Sequence, residues 1–391
     1  MVLIDKPYVS DFMKKTLADQ NIPVIRTPEA EQFDLGDGVC VISQDTALRE
    51  LKRGVNGLLY TNSENSINWI VKHLGFMTLP KQIARFKDKF AFRNLLKQNY
   101  PHFAYSEVEI RELDTIDVGS IKMPFIIKPS VGFFSMGVHK VSTKDDWSLV
   151  LQAIHNEMKA VQALYPSEVM DTTRFIIEEC IEGEEYAVDT YFNHEGKPVI
   201  LNILHHLFAS GEDVRDRVYI TSRSVITRYR EELLALLTRI GRLASLKNFP
   251  VHAEVRIDGS GNMIPIEVNP MRFAGWCTTD VAYHAYGINP YEYYFRQKEP
   301  DWNQLLRAKG DETYSIIVLD KPGDVPVESI EAFDYGQVLS RFEKPLELRK
   351  IDYTEYPVFG FLFAETRMEN MAELEDILRS DLKEFIRMRP S

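Results

Sequence analysis

The sequence predicts an α/β fold that continues into α+β structure, and three stretches of the chain support this prediction. Over residues 1–74, short apolar strands alternate with amphipathic helices, which is typical of a small parallel sheet. Residues 251–272 have the pattern of two strands joined by the tight turn DGSG. From Asp311 onward, the apolar runs YSIIVLD and EYPVFGFLFAET precede an amphipathic helical pattern at 370–388, which predicts a separate small α+β domain.

The length of 391 residues exceeds one ordinary hydrophobic core, so we expect two or three domains. The changes of pattern predict a Rossmann-like α/β domain at 1–85, a central domain at 86–310 and the small α+β domain at 311–391. Within the central domain, residues from about 123 to 192 form a subdomain. No GxGxxG follows the first strand, so we expect no dinucleotide site there.

The net charge disfavours two classes of partner, and the cysteine content indicates the cellular compartment. The chain has 46 Lys and Arg against 58 Asp and Glu, a net charge of −12, which disfavours binding to nucleic acid and to anionic membranes. The 3 cysteines are odd in number and far apart, which indicates reduced thiols in a cytoplasmic protein. The N-terminal residues MVLIDKPYVSDFMKK contain no apolar segment long enough for a signal peptide or a membrane helix.

The predicted hairpin at 251–272 carries the clearest candidate site. Glu267 and Asn269 are two residues apart and therefore point from the same face of one strand, and Glu254 lies across the hairpin from them. Two carboxylates and one amide oxygen suit Mg²⁺, which usually shares its shell with substrate phosphates. A solvated acidic face is the alternative for Glu254. Glu267 and Asn269 argue against it because they interrupt the apolar run IPIEVNP.

Other segments could contact a bound phosphate. Lys89 opens a basic helix after its predicted cap Asp88, and Lys128 ends the apolar strand MPFIIK. A loop with glycines and hydroxyls follows at 129–138, and FIIEECIEGEEY at 175–186 is rich in acids. No GxxxxGK[ST] is present, so the chain is not a P-loop protein.

The order of these features along the chain resembles that of the ATP-grasp superfamily of carboxylate ligases. The features are, in order, the two lysines, the glycine loop, the acidic segment and the carboxylate hairpin. The branches of this superfamily include L-amino acid ligases, D-alanine:D-alanine ligase, biotin carboxylase and the large chain of carbamoyl phosphate synthase. No single motif is specific, but the ordered set is, and the resemblance covers residues 1 to about 300. It implies an ATP-grasp fold with a pre-ATP-grasp domain at 1–85, an ATP-grasp domain at 86–310 and its lid at about 123–192.

The resemblance also assigns roles to residues. It implies that Lys89 and Lys128 hold the ATP phosphates, and that the loop containing Ser135, Met136 and Gly137 covers them. Glu178 would accept from the adenine amino group or organise that region, with the carbonyl of Glu179 as a further candidate. The N–H of Ile181 would face adenine N1, and Glu185 would bind the ribose. The implied ligands of Mg²⁺, or of Mn²⁺ in its place, are Glu254, Glu267 and Asn269.

Two further assignments concern the reaction and its substrate. With Lys128, Arg272 would be catalytic, its guanidinium meeting the acyl phosphate or the developing oxyanion. Several branches have this arginine one position earlier, and here Met271 is the extra residue. Between residues 202 and 225, a segment with the composition of an active-site rim could bind a carboxylate or be structural; its candidates are His205, His206, Arg215, Arg217 and Arg223.

The implied reaction is the ATP-dependent ligation of a small-molecule carboxylate to an amine, through an acyl phosphate, with release of ADP and phosphate. Amino-acid-like substrates are favoured, and a homodimer is allowed. A catalytically silent ATP-binding sensor or regulatory module is the alternative. This alternative is disfavoured because a sensor does not need both metal carboxylates. The residues that argue against it are Lys128, Glu254, Glu267, Asn269 and Arg272.

Overall fold

A computed structural model describes residues 1–54, 57–132, 137–162, 173–210, 213 and 215–390, with only the backbone of 159–162. The N-terminal part contains the predicted parallel sheet, with strands in the order β3-β2-β1-β4. Its elements are β1 (Val2–Leu3), α1 (Asp11–Asp19), β2 (Val24–Arg26), β3 (Val41–Ser43), α2 (Gln44–Lys52), β4 (Tyr60–Thr61) and α3 (Ile67–His73). Buried aliphatic side chains on β1 and β2 give this sheet its core.

The basic helix predicted to begin at Lys89 is α5 (Lys89–Leu96), and a second helix, α4 (Leu79–Lys87), comes directly before it. Asp88 separates them because its backbone is extended, and its side chain accepts a hydrogen bond from Ala91 N at 2.9 Å, as an N-cap does. Lys89 N donates to Ser130 O at 2.8 Å. The start of α5 is therefore fixed beside the loop that follows Lys128.

A four-stranded antiparallel sheet in the order β5-β8-β6-β7 follows. Its elements are β5 (Tyr105–Glu109), β6 (Phe125–Pro129), β7 (His139–Val141), α6 (Trp147–Gln162) and β8 (Arg174–Glu179). Ile154 and Met158 of α6 belong to the hydrophobic core of this sheet. The predicted lid range of about 123–192 is shifted, because the sheet begins at residue 105 and the strand at 184–192 pairs in another sheet.

An eight-stranded antiparallel sheet forms the centre of the molecule. Its first part contains β9 (Glu184–Phe192), β10 (Pro198–Leu207), β11 (Val218–Ser222), α7 (Arg223–Ala244), β12 (Phe249–Ile257) and β13 (Met263–Pro270). The helix α7 covers one face of the sheet, where Gly241 packs against the ring of Phe192. The opposite face carries the polar side chains of β9, β12 and β13, as the alternation of residues along a strand requires.

Most strands of the C-terminal stretch belong to the central sheet rather than to a sheet of their own, which corrects the separate domain expected from Asp311. Two short strands, Ile330–Phe333 and Ile386–Met388, pair with each other in a two-stranded sheet. Three of its strands extend the central sheet, whose order is β13-β12-β9-β10-β11-β14-β17-β16. The remaining elements are α8 (Val281–Tyr286), α9 (Pro290–Phe295), α10 (Trp302–Arg307), β14 (Thr313–Asp320), β15 (Ile330–Phe333), α11 (Tyr335–Leu339), β16 (Lys344–Lys350), β17 (Val358–Thr366), α12 (Ala372–Arg379) and β18 (Ile386–Met388).

The amphipathic helix predicted at 370–388 is shorter than expected. It ends at Arg379 because Ser380 has an extended backbone and Leu382 has a φ of 64°, which turns the chain. Residues 386–388 then pair with β15 as a strand. In the part of the chain that the structure describes, no helix is both long and apolar enough to cross a membrane.

Gly183 fixes the connection between the four-stranded and the eight-stranded sheet. Its φ is 112°, a conformation that favours glycine. A Cβ at this position would lie 2.2 Å from the carbonyl oxygen of Ile257, at the end of β12. The connection therefore approaches the β12–β13 hairpin so closely that no side chain fits between them.

We expect Gly183→Ala to lower the free energy of unfolding by more than about 1 kcal/mol, because it adds both steric overlap and backbone strain. Urea unfolding measures the change. Gly259→Ala is the matched control, since Gly259 lies in the nearby hairpin turn, where an added Cβ would meet no atom within 4 Å and the φ is not left-handed. If Gly183→Ala and Gly259→Ala lowered the free energy of unfolding equally, the close approach of residue 183 to Ile257 would not be important for stability.

Candidate active site

The β12–β13 hairpin brings together the three predicted metal ligands. Glu254 and Glu267 are direct cross-strand partners. Asn269 Nδ2 donates to Glu254 Oε1 at 3.2 Å and to Glu267 Oε1 at 3.1 Å. A β-bulge between Glu254 and Val255 shifts the register beside this pair, a feature often found next to active sites. Convergence of the three side chains is thus observed, whereas their role as ligands stays a prediction.

The two carboxylates of this cluster differ in their electrostatic surroundings. Burial and the neighbouring Glu267 raise the pKa of Glu254 to about 7. Burial would also raise the pKa of Glu267, but the ammonium groups of Lys89 and Lys128 outweigh it and lower that pKa. The cluster therefore holds one carboxylate that ionises readily and one that resists ionisation unless a further positive charge approaches.

These properties fit a hard divalent cation. A cation would relieve the repulsion between Glu254 and Glu267, and half a turn of the Asn269 amide would direct its Oδ1 toward the same place. Among the described residues, no three His, Cys, Asp or Glu side chains form a metal site by themselves. A Mg²⁺ ion held by Glu254, Glu267 and Asn269 would need further oxygens to complete its octahedral shell.

Lys89 lies between this cluster and the loop after β6. Its Nζ is 3.6 Å from Glu267 Oε2 and donates to the carbonyl oxygen of Gly132 at 3.2 Å. The side chain is only 12% exposed, so its charge is directed inward and is little screened by water. The structure therefore places a positive charge directly beside the cluster of Glu254, Glu267 and Asn269, whereas its contact with a phosphate stays a prediction.

Lys128 belongs to a buried ion-pair network. Its Nζ is 2.6 Å from Glu178 Oε1, and Arg93 Nε donates to Glu178 Oε2 at 2.7 Å. Burial would raise the pKa of Glu178, but Lys128 and Arg93 together lower it to about 2. Both oxygens of Glu178 are engaged with cations, so this geometry favours the second of its two predicted roles, organising the region.

The remaining predicted nucleotide contacts surround the connection at 178–185. Glu179 N donates to Ala104 O at 2.9 Å, and Ile181 O accepts from Arg256 at 3.0 Å. Burial would raise the pKa of Glu185, but His206 at 3.0 Å and Arg256 at 3.2 Å lower it. The carboxylate of Glu185 is thus held in place by two neighbouring side chains.

Only part of the predicted phosphate loop can be placed. Gly137 has a φ of 70° and packs against Pro129 and Met158. Ser135 and Met136 lie outside the described residues. Their predicted contacts with the nucleotide stay predictions.

Arg272 lies next to the cluster of Glu254, Glu267 and Asn269, but its guanidinium is paired with Glu64 of the N-terminal domain. Its Nη2 donates to Glu64 Oε1 at 2.6 Å, and Lys87 pairs with the other oxygen of Glu64. Burial would lower the pKa of Arg272, but Glu64, followed by Glu254 and Glu267, raises it. The extra residue Met271 has a φ of 68°, and its carbonyl accepts from Thr61 N at 2.8 Å. The insertion thus connects the end of β13 to β4.

Among the rim residues, His206 lies beside Arg215, whose carbonyl oxygen is 3.2 Å from His206 Nε2, while the others contact residues outside this set. His206 stacks on Tyr219 beside Glu185, and His205 stacks on Tyr186. Arg215 pairs with Asp213 at 2.8 Å. Arg223 Nη1 donates to Lys309 O at 3.1 Å. Their assignment to substrate binding stays a prediction.

Arg217 is the one rim residue for which the structure corrects the prediction. It is 3% exposed, and its guanidinium donates to Asp320 and to the carbonyl oxygens of Ile377 and Ser380. All these partners belong to the C-terminal stretch. Arg217 therefore fastens that stretch to β11 and is unavailable to a substrate.

We expect Arg217→Met to lower the free energy of unfolding by about 3 kcal/mol, because it leaves Asp320 and two carbonyls without their buried partner. Urea unfolding measures this loss. Arg215→Met is the control, since it removes an ion pair whose arginine is largely exposed and should change stability by less than about 1 kcal/mol. A stable Arg217→Met variant with a changed substrate KM would contradict the structural role.

Four residues of the site were missed from the sequence. Arg93 interrupts the apolar helix pattern FAFRNLL, and Asp189 interrupts the strand YAVDTYF, which is the signal that identified Glu267. His252 lies two residues before Glu254 and shares its face; its Nδ1 is 2.8 Å from Asp189 Oδ1 and its Nε2 is 3.5 Å from Glu254 Oε1. Glu64 carried no local signal, because its partner Arg272 is distant in sequence.

Comparison with known proteins gives a family match in the middle of the chain. Residues 121–280 match the family model described as an ATP-grasp domain. These residues include the predicted lysine at 128, the connection at 178–185 and the carboxylate hairpin. No curated protein matches the sequence of this chain.

Solved structures match the whole chain in fold. The L-amino acid ligase from Bacillus licheniformis has a TM-score of 0.70 at 15% identity, covering 100% of this chain and 98% of that one. The N5-carboxyaminoimidazole ribonucleotide synthetase from Thermotoga maritima has a TM-score of 0.63 at 15% identity, covering 100% and 99%. The biotin carboxylase domain of 2-oxoglutarate carboxylase from Hydrogenobacter thermophilus, solved with MgADP and bicarbonate, has a TM-score of 0.64 at 14% identity, covering 99% and 90%.

Proposed function

We propose, from the ATP-grasp fold that this chain adopts, that the protein is an ATP-dependent ligase joining a carboxylate to an amine. The observation that carries this proposal is the cluster of Glu254, Glu267 and Asn269, with the Lys89 ammonium 3.6 Å from Glu267. A protein that only binds a nucleotide does not need a half-buried carboxylate pair whose mutual repulsion a cation must relieve. Amino-acid-like small molecules are the substrates that we favour.

In this proposal, the chain acts mainly by neutralising and positioning phosphates. Glu254, Glu267 and Asn269 would hold Mg²⁺, which supplies charge neutralisation and orientation at the triphosphate when it is bound. Lys89 and Lys128 would add two positive charges on the side of the triphosphate away from the metal. Lys89 is kept in place by Glu267, and Lys128 by Glu178. The connection at 178–185 would receive the adenosine, with Glu185 held by His206 and Arg256 for the ribose.

The reaction would proceed in two substitutions. A carboxylate oxygen of the first substrate attacks the γ-phosphorus, the bond to the bridging oxygen breaks, and ADP leaves with that electron pair. The amine nitrogen then attacks the acyl carbon, the C–O bond to phosphate breaks, and the amine loses one proton. Arg272 would place its charge beside the oxyanion of this second step. The reacting groups belong to the substrates, so no enzyme nucleophile is required.

ADP and phosphate release from ATP and Mg²⁺ tests the proposal, with pools of carboxylates and amines supplied singly and together. We expect release to require both pools, and mass spectrometry should detect an amide product that lacks one water relative to the two substrates. Tight ATP binding with no release across broad pools would favour the silent sensor instead. Release with carboxylates that carry no amino group, in the absence of any amine, would contradict amide ligation.

A further inference from the structure

A row of four polar side chains crosses the central sheet beside the metal cluster. Asn269 pairs with His252, His252 with Asp189, and Asp189 with Asn202, on the consecutive strands β13, β12, β9 and β10. Cross-strand partners project from the same face, which here is the face of Glu254 and Glu267. The row therefore starts at a predicted metal ligand and extends two strands beyond the hairpin.

Two atoms at the far end of this row lack hydrogen-bond partners among the described residues. Asp189 Oδ1 is 2.8 Å from His252 Nδ1 and accepts from Ala274 N at 2.8 Å, but Oδ2 has no partner. Asn202 Oδ1 accepts from Thr221 Oγ1 at 2.9 Å, but Nδ2 has no partner. Both residues are 0% exposed. Leaving a buried acceptor and a buried donor unpaired is costly, so their presence calls for an explanation.

The backbone places Asn202 in this position through a β-bulge. The register of β10 against β9 shifts between Ile200 and Asn202, so that Asn202 joins the face of Asp189. Bulges of this kind commonly re-aim a side chain beside an active site. The unpaired donor therefore results from a local departure from regular strand geometry.

The pair lies close to where the second chemical step would take place. The ring of His252 alone separates Asp189 from the metal cluster, since Nε2 of that ring is 3.5 Å from Glu254 Oε1. The backbone of Ala274, just beyond Arg272, closes over the pair from the loop after β13. The two contacts of the His252 ring therefore connect Asp189 to Glu254 of the cluster.

The chemistry of the two free atoms restricts what they can bind. The carboxylate oxygen of Asp189 repels the first substrate's carboxylate and attracts a group rich in N–H donors. The amide of Asn202 offers N–H donors, which a metal ion does not accept as ligands. One molecule satisfies both if it carries an ammonium group and, close to it, an oxygen acceptor.

We propose that Asp189 Oδ2 and Asn202 Nδ2 form the binding site for the amine substrate, and that this substrate is a primary amine with an adjacent carbonyl or carboxylate oxygen, such as an amino acid. This inference rests on the proposed ligase function and specifies its second substrate. Asp189 receives the ammonium group, and Asn202 donates to the neighbouring oxygen. The ammonium group loses one proton to solvent before its nitrogen attacks the acyl carbon, and the second proton leaves as the amide forms. The first substrate binds on the other side of the row, at the cluster and Arg272.

Asp189→Asn replaces one oxygen by an NH₂ group, because Asn Oδ1 can keep the contacts with His252 and Ala274 in place of Asp Oδ1. It also removes the negative charge beside His252, so a reaction that does not use the amine site is needed as a reference. With single amino acids as the amine, we expect KM for the amine to rise about 10- to 100-fold, the effect of losing a charge-assisted hydrogen bond. Hydroxylamine is a neutral nucleophile that does not need an ammonium site. Hydroxamate formation from the same carboxylate should therefore stay within about 3-fold of the wild type.

Thr190→Val is the matched control, since Thr190 is equally buried on β9 but faces the opposite side, where its hydroxyl donates to Val199 O at 2.7 Å. We expect it to leave the KM for the amine unchanged. An unchanged amine KM in Asp189→Asn, or an equal loss with amine and hydroxylamine, overturns the proposal. The second result would indicate that Asp189 only positions His252.

A crystal soaked with Mg²⁺, a non-hydrolysable ATP analogue and glycinamide tests the site without turnover. We expect the glycinamide nitrogen within hydrogen-bond distance of Asp189 Oδ2 and its carbonyl oxygen within that distance of Asn202 Nδ2. A water molecule bridging the two atoms in its place, or glycinamide bound elsewhere, overturns the proposal. Absence of ADP release with every substrate pair would refute the ligase function, and the soaked structure would then decide on the site alone.

Discussion

Glu267→Gln should reduce ATP turnover by roughly 10²- to 10³-fold while leaving the fold and adenosine binding intact. The reason is that Gln keeps the shape of Glu267 and an oxygen for the hydrogen bond from Asn269 at 3.1 Å, but removes the charge that faces Lys89 at 3.6 Å. The neighbours of Glu267 lower its pKa, so it is ionised at neutral pH. ADP release under saturating substrates measures the loss, and fluorescence titration with an ATP analogue measures nucleotide binding.

Glu365→Gln is the matched control for this substitution. Glu365 is a carboxylate of β17 in the same sheet, and it pairs with Lys344 at 2.7 Å far along the strand order from the hairpin. We expect the control to retain wild-type turnover. Full activity of Glu267→Gln would remove this residue from the proposed metal ligands.

Glu178→Gln should lower the free energy of unfolding by about 3–5 kcal/mol, the largest stability effect that we expect from a single substitution here. It would leave Arg93, 4% exposed, and Lys128, 7% exposed, as buried cations without their shared counter-charge. Lys128 would also lose its fixed position, so the KM for ATP should rise. Urea unfolding and ATP-dependent turnover measure the two effects.

The stabilisation that Glu178 provides should depend on pH in a defined direction. Its pKa is lowered from the ordinary 4.5 to about 2 in the folded protein, so its contribution is complete above pH 4.5 and is lost as the pH falls toward about 2. The difference in unfolding free energy between wild type and Glu178→Gln should therefore be constant near neutral pH and shrink below pH 4.5.

Glu179→Gln is the control for both measurements. Glu179 is the next residue in the chain, but its side chain is 21% exposed and lies 3.7 Å from Lys122, which is 79% exposed. Exposed pairs of this kind contribute less than about 1 kcal/mol. Comparable destabilisation by the two substitutions would show that the buried network does not hold this region together.

The hairpin could be predicted because the residues that form it are close together in sequence. Glu254, Glu267 and Asn269 lie on two strands joined by a short turn, so alternation along each strand is enough to place them on one face. The same holds for Asp88 as a helix cap, since its partner Ala91 is three residues away. Interactions of this range are determined by residue spacing.

Interactions between distant segments could not be predicted in this way. The pattern of β14 identified a strand, but not that it pairs with β11, about 95 residues earlier. Arg217 illustrates the consequence. Its partners lie in the C-terminal stretch, whereas the composition of the segment around it suggested a contact with substrate. The role of Glu178 was left open for the same reason, since Arg93 lies 85 residues before it.

A crystal structure with a non-hydrolysable ATP analogue and Mn²⁺ would test the central claim most directly, because the anomalous signal of Mn²⁺ locates the metal independently of the protein density. We predict an anomalous peak in contact with Glu254, Glu267 and the β- or γ-phosphate, with Lys89 and Lys128 on the same triphosphate. A nucleotide bound away from the hairpin, or a metal that contacts the phosphates without either glutamate, would contradict the claim.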